Sequence, residues 1–254
     1  MNEHQTSNLP WWSPDALTEQ EQHIRAGTNP TTVDLRSDFG SYRALVNGND
    51  PSVAKLGHHN AFERLVVQAL CRDYRNIYRK NGTHSPRLIA DFGCGTGFTT
   101  AGLKTNWPNA KVEGFDVSRD AVAHASKLWP GCRFVAGAIR PDTQLTMTRY
   151  DLIVCQEFYP FTRTASVDEH EKWLTFVATN LSEDGIAMIA VTAANYESIN
   201  ATFGELRQKF NVRCIRIAVP KLSRLLPLWL SRAASIPLRV IRPSGVRNVY
   251  VLRR

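Results

Sequence analysis

Apolar and polar positions follow two rhythms along this chain. Phe62, Leu65, Val66, Ala69, Leu70, Tyr74 and Ile77 fall at helical spacing, which predicts a helix ending near Lys80 with Asn81-Gly82 as its stop. Short apolar runs follow at Arg87 to Phe92, Lys111 to Phe115, Cys132 to Ala136, Tyr150 to Cys155 and Ile186 to Thr192. Their brevity and their β-branched and aromatic content predict strands. Helical patterns separate them: Phe98 to Trp107, Arg119 to Leu128 behind a Ser118 cap, and Val167 to Leu181, whose Trp173, Phe176, Val177 and Leu181 share a face. Ser182-Glu-Asp-Gly185 predicts a turn. A helix over 196–210 and strands over Val212 to Val219 and Val246 to Leu252 complete the series. Strands alternating with helices imply an α/β fold, with seven strands in a mostly parallel sheet and helices on both faces.

The pattern changes at either end. Ser13-Pro14-Asp15 starts a helix, and the stretch from Asn29 to Asn60 is turn-rich, with Gly40, Gly48, Pro51 and Gly57. Residues 1–60 are expected to form an N-terminal helical cap on a domain spanning 61–254. Between the last two strands, over about 220–243, lies an insertion whose Leu222, Leu225, Leu226, Trp229 and Leu230 share a helical face. This basic amphipathic piece suits packing against the domain or a second subunit, as amphipathic helices usually do, with peripheral contact with a membrane surface or a lid over an apolar substrate as the alternatives. No apolar run approaches about 18 residues, so no transmembrane segment is expected. The pattern is silent on oligomeric state.

Composition narrows the classes. The chain has 254 residues and a formal net charge of +8, and no acidic residue occurs from Arg207 onward. Such a stretch suits a phosphorylated substrate, a nucleic acid or an anionic lipid surface, and equally a solvated basic face. Cys71, Cys94, Cys132, Cys155 and Cys214 form no C-x-x-C pair, and residues 1–30 hold no signal-peptide core. Reduced thiols in a cytoplasmic protein are expected, with no metal, because no Cys or His spacing fits a site.

The candidate chemistry lies in Leu88-Ile-Ala-Asp-Phe-Gly-Cys-Gly-Thr-Gly97 and in Asp116, which closes the second strand. A dinucleotide fingerprint G-x-G-x-x-G would need a glycine or alanine at Phe98 or Thr100, and neither frame fits. An acid two positions before the first of three alternating glycines resembles motif I of the class I S-adenosylmethionine-dependent methyltransferases, a Rossmann-like family, and Asp116 resembles their second acidic motif. The resemblance spans roughly residues 85–195. It implies S-adenosylmethionine as cofactor, and an antiparallel last strand. It implies Asp91 near the methionyl amino group, directly or through water, and Gly93, Cys94, Gly95 and Gly97 as backbone passing the methionyl and ribose parts. Asp116 would take the ribose diol, and Val117 would also bind the cofactor. Ala138 stands where many members carry an acid, so adenine would meet the backbone of Ala138 and Ile139, or Asp142. Gln156 would face the cofactor. A cationic ligand without phosphate suits Asp91 beside the loop, whereas a pyrophosphate would be repelled there.

In the same family the loop after strand four faces the transferred methyl group. Here it reads Cys155-Gln-Glu-Phe-Tyr-Pro-Phe161, which is not the Asn/Asp-Pro-Pro-Tyr/Phe motif of enzymes that methylate base or glutamine nitrogen. Glu157 is a candidate general base for a hydroxyl, or a holder of a cationic substrate. Phe158, Tyr159 and Phe161 are candidate pocket walls, with core packing the alternative for Phe158 and Phe161. His170 and His59 are further candidate bases, each also compatible with a structural role. The leading expectation is methyl transfer to an oxygen of a small molecule or glycan precursor. The alternatives are RNA or protein methylation through the basic C-terminal region, a non-catalytic S-adenosylmethionine-binding module, and a nicotinamide-dependent oxidoreductase.

Overall fold

Strands covered on both faces read as largely apolar runs, and the central strands here do. The computed structural model describes residues 61–81, 84–137, 139–141, 145, 149–162, 166–192, 196–218, 230, 233–235 and 246–254. The elements are α1 (Ala61–Asn81), β1 (Leu88–Phe92), α2 (Phe98–Asn106), β2 (Lys111–Asp116), α3 (Arg119–Leu128), β3 (Arg133–Ala136), β4 (Tyr150–Gln156), α4 (Tyr159–Thr162), α5 (Val167–Thr179), β5 (Leu181–Thr192), α6 (Tyr196–Leu206), β6 (Val212–Ala218) and β7 (Val246–Arg253). The sheet order is β3-β2-β1-β4-β5-β7-β6. β7 pairs antiparallel with both β5 and β6, and the other pairs are parallel.

Alternation along the strands builds two cores. Ile89, Val112, Leu152, Val154, Met188, Val249 and Val251 face α1, whose Leu70, Cys71, Tyr74 and Ile77 cover them. Ala90, Phe92, Phe115, Ile153, Cys155, Ile189 and Tyr250 face the opposite way, onto Trp173, Phe176 and Val177 of α5 and Phe203 of α6. Ser118 caps α3 as expected, accepting from the Ala121 N–H at 3.2 Å, and Ser166 caps α5 by accepting from Glu169 N–H at 3.3 Å.

The structure departs from the expected elements in four places. The turn at Ser182–Gly185 lies inside β5: the register with β4 passes from Tyr150↔Leu181 to Leu152↔Ile186, so the intervening residues bulge out. Only glycine fits at 185, where a Cβ would sit 2.9 Å from Ser182 backbone and from the Tyr150 carbonyl. Helix α5 stops at Thr179, short of Leu181, because Leu181 already pairs with Tyr150. Helix α6 ends at Leu206, whose carbonyl collects the N–H groups of Lys209 and Phe210. The single turn α4 was not signalled by the pattern. The cap over 1–60 and most of the 220–243 insertion lie outside the described residues.

Besides Asp91 and Asp116 at its carboxyl end, the sheet buries one further acid among the described residues. Glu113 is buried in β2, accepting from the Tyr150 hydroxyl at 2.7 Å and from Arg133 at 2.8 Å, with Lys111 at 2.9 Å. Burial pushes its pKa up, but these partners outweigh burial and hold it below the usual carboxyl value. Glu113→Ala removes the acceptor of the buried Tyr150 hydroxyl, so we expect a loss of about 1–3 kcal/mol, read as a lower urea midpoint at unchanged slope.

Candidate functional site

The loop from β1 to α2 is tied to the end of β2. Gly93 and Cys94 N–H groups both donate to the Phe115 carbonyl, at 2.8 and 3.0 Å, and Gly95 N–H donates to Asp116 Oδ2 at 2.8 Å. This path needs left-handed backbone at Gly93, Gly95 and Gly97, where φ is 75°, 52° and 80°. At Gly97 a Cβ would also lie 2.7 Å from the Phe134 ring. Cys94 turns its thiol inward toward Gly114, so only its backbone can meet a ligand.

Asp116 holds the site's frame. Its Oδ1 accepts from Ser118 N–H at 2.8 Å while Oδ2 holds Gly95, and its own carbonyl accepts from Gly137 N–H at 2.8 Å. The ends of β1, β2 and β3 are thereby joined. The two oxygens offer about four lone-pair sites, so the backbone donors leave room for a ligand hydroxyl. Burial raises its pKa, opposed by hydrogen bonds from the backbone of Ser118, Gly95 and Val117. Asp91 lies beneath the loop, buried, and accepts from Thr100 Oγ1 in the first turn of α2 at 2.7 Å. Burial lifts its pKa to about 7, against the Thr100 hydrogen bond and with help from the Asp116 charge. Two buried carboxylates under one loop suit a cation and disfavour a pyrophosphate.

A second polar group lies at the carboxyl end of β4. Gln156 Oε1 accepts from Thr99 Oγ1 of α2 at 3.1 Å and from the Tyr74 hydroxyl of α1 at 3.5 Å. Glu157 follows with φ at 51°, a left-handed conformation unusual outside glycine, secured by its N–H donating to the Ala190 carbonyl at 2.9 Å. Its Oε1 lies 3.8 Å from Arg247 Nη2 of β7. Sequence reasoning missed Arg247 among the basic residues of the C-terminal stretch. The available signal was its place one strand period before Val249 and Val251, on an inward face.

The structure thus brings Asp91, Gly93, Cys94, Gly95, Gly97, Asp116, Val117, Gln156 and Glu157 to one end of the sheet, with Ile139 adjoining as a buried core residue in the loop after β3. Ala138 and His59 lie outside the described residues. His170 is different. It is fully buried on α5, its ring 5.8 Å from Phe161 and 5.4 Å from Phe203, with Nδ1 2.5 Å from Thr202 Oγ1. Packed aromatics on both sides keep an acceptor from reaching it here. Phe158 and Phe161 are also core residues, Phe158 packing 5.4 Å from Trp173, rather than open pocket walls. All five cysteines are free thiols, and burial raises the pKa of Cys71, Cys94 and Cys155 well above the usual thiol value. No described helix is long and apolar enough to cross a membrane, and no metal-holding cluster occurs among the described residues.

Comparison with known proteins agrees with this geometry. Residues 89–185 match the family described as "Methyltransferase domain". A trans-aconitate 2-methyltransferase of Escherichia coli O139:H28 (strain E24377A / ETEC) is 43% identical over 54 residues, 21% of this chain and 21% of that protein. Its counterpart in Rhodopseudomonas palustris (strain BisB18) is 37% identical over 68 residues, 27% of each. The match therefore spans only 21 to 27% of these relatives' length. Among solved structures, the plantazolicin methyltransferase BpumL in complex with a triazolic desmethylPZN analog and SAH superposes with a TM-score of 0.54 at 16% identity, over 86% of this chain and 98% of that one. A TehB-like SAM-dependent methyltransferase from Corynebacterium glutamicum ATCC 13032 Kitasato gives 0.50 at 19% identity, over 95% and 100%. At these identities the structural likeness is one of fold.

Two outcomes follow from the loop. Gly97→Ala adds about 1–2 kcal/mol of left-handed strain and about 1–3 kcal/mol of overpacking against Phe134, so its thermal midpoint should fall well below that of the parent. Asp91 binds its proton more tightly folded than unfolded. Its stabilising contribution is therefore full below 3.8 and is lost as pH rises through about 7, and Asp73, lifted to about 6 by burial, acts in the same direction. Asp91→Asn should flatten the decline of calorimetric midpoint from about pH 4 to about pH 7, and an undiminished decline would remove Asp91 as its source.

Proposed function

From the premise that the chain carries a class I S-adenosylmethionine-dependent methyltransferase domain, we propose that it is an enzyme transferring a methyl group to an oxygen of a small molecule. The observation that carries this is the joining of the glycine loop to Asp116 directly above buried Asp91, with Glu157 held left-handed at the end of the neighbouring strand β4. S-adenosylmethionine is the cofactor, and when bound it supplies a methyl group already activated on a sulfonium. The remaining work is alignment and proton management.

In this proposal Asp91 favours the cationic end of the cofactor by its charge, from beneath the loop. Gly93, Cys94, Gly95 and Gly97 present backbone to it, and Asp116 adds ribose hydroxyls to the backbone amides it already accepts. Adenine recognition falls to the backbone of Ile139 with Ala138 as its partner candidate, and Val117 is a further cofactor contact. Gln156, fixed by Thr99 and Tyr74, borders the methionyl part. Glu157, a third exposed at its side chain, takes the proton of an acceptor hydroxyl. The small-molecule character of the acceptor draws on the trans-aconitate methyltransferase relatives, which match over a short segment. Localisation in the cytoplasm belongs to the same proposal.

S-adenosylhomocysteine at about 100 times its dissociation constant should stabilise the chain by roughly 2.7 kcal/mol, whereas NAD should not. Stabilisation by NAD alone would overturn the proposal. Glu157→Gln should leave that binding intact and lower kcat by about 100-fold or more if Glu157 is the base, and equal kcat would reduce it to a structural role.

A further inference from the structure

Arg247 is charged, largely buried and poorly partnered. It lies opposite Thr192, the last residue of β5, and so stands at the carboxyl end of the parallel strands. Its side chain is 11% exposed, its Nε and Nη1 are buried without a hydrogen-bond partner, and its Nη2 is 3.8 Å from Glu157 Oε1. That separation exceeds a hydrogen bond. Beside it is the wholly buried Tyr74, whose phenol pKa is raised by burial while the charge and a hydrogen bond of Arg247 pull it back. Tyr74 in turn reaches Gln156, and Gln156 reaches Thr99, in the turn of α2 that follows the glycine loop. The contrast within this chain is Glu113, a buried charge with three partners. Unsatisfied buried donors are costly, and a guanidinium left with two of them calls for a group that the described residues do not provide.

We propose that Arg247, flanked by Tyr74 and Gln156, forms a carboxylate-binding subsite at the acceptor end of the sheet. A guanidinium presents a planar fork that matches the two oxygens of a carboxylate. The charge balance favours the same class: Arg247 and Glu157 sum to zero, so one added negative charge is tolerated where a phosphate dianion beside Glu157 would be repelled. The carboxylate has two possible sources, the acceptor molecule and the methionyl end of the cofactor. The subsite rests on the proposed methyl transfer and narrows it: if the source is the acceptor, the substrate is an acid carrying the reactive oxygen.

The test compares the parent with Arg247→Gln and with Arg247→Lys, which keeps the charge but loses the fork. Folding is verified by circular dichroism melts. Affinities are measured for S-adenosylhomocysteine and for 5′-methylthioadenosine, which lacks the amino-acid part. Thermal shifts are measured for the S-adenosylhomocysteine complex with trans-aconitate, citrate and benzoate. Weakening of S-adenosylhomocysteine by about 10- to 100-fold with 5′-methylthioadenosine unchanged assigns the subsite to the cofactor carboxylate. Unchanged nucleoside binding, with a carboxylate-induced shift in the parent that Arg247→Gln abolishes and Arg247→Lys reduces, assigns it to the acceptor. Equal affinities in all three proteins, with no carboxylate shift dependent on Arg247, overturn the inference while leaving the proposed function standing. A parent chain that fails to bind S-adenosylhomocysteine overturns the proposed function and the subsite with it.

Discussion

Everything at the carboxyl end of this sheet depends on the hydrogen bonds that tie the β1–α2 loop to the end of β2. The Phe115 carbonyl accepts two amides of the loop and the Asp116 carboxylate a third. A loop held this closely leaves no room for side chains at its turning points. Gly97 and Gly114 both back onto the Phe134 ring, and Gly93 backs onto Phe158. The same bonds place the start of α2, and α2 in turn supplies Thr100 to Asp91 and Thr99 to Gln156. One set of contacts therefore fixes the loop, the buried acid beneath it and the polar group on the neighbouring strand.

Charge is separated across this end of the molecule. Asp91 and Asp116 lie on the β1–β2 side, and Arg247 lies across β4 and β5 beside Glu157. Burial weakens solvent screening, so each group acts strongly on whatever enters. The acids favour a cation on one side, and the guanidinium favours an anion on the other. A cofactor bearing both an ammonium and a carboxylate, and an acidic acceptor, are both compatible with that polarity. Glu157 sits where the two halves meet, on a left-handed backbone that the Ala190 carbonyl secures. Strain stored at the end of a strand, next to the polar groups, is the usual mark of a position selected for what it does rather than for stability.

Much of the fold was legible because its signals are local. The Ser118 cap, the glycine loop and the apolar strands each depend on residues close in the chain, and the antiparallel last strand followed from the family resemblance. The signals that failed were those in which local propensity and tertiary pairing disagreed. Ser182–Gly185 has turn chemistry and does make a tight bend, yet pairing on either side with Tyr150 and Leu152 keeps it inside β5. His170 begins a helix beside the expected site, but Phe161 and Phe203 enclose its ring. Glu113 breaks an apolar strand, and two of its three partners, Tyr150 and Arg133, come alongside only once β2, β3 and β4 are aligned. Arg247 follows the inward strand period, yet its neighbours Tyr74 and Glu157 belong to elements remote in the chain.

The sequence by itself determined the α/β order of elements, the glycine loop, and the two acids that point to a cationic, phosphate-free ligand. These rest on backbone conformation and residue type, which each residue carries wherever the chain places it. Only the tertiary structure decided what those groups do to one another. It turned Asp116 into the clasp of the loop, raised Asp91 to about 7, enclosed His170, and left a guanidinium with open donors at the carboxyl end of the sheet. Desolvation and hydrogen-bond satisfaction depend on which distant residues arrive alongside, and that is a property of the packed sheet rather than of any segment within it.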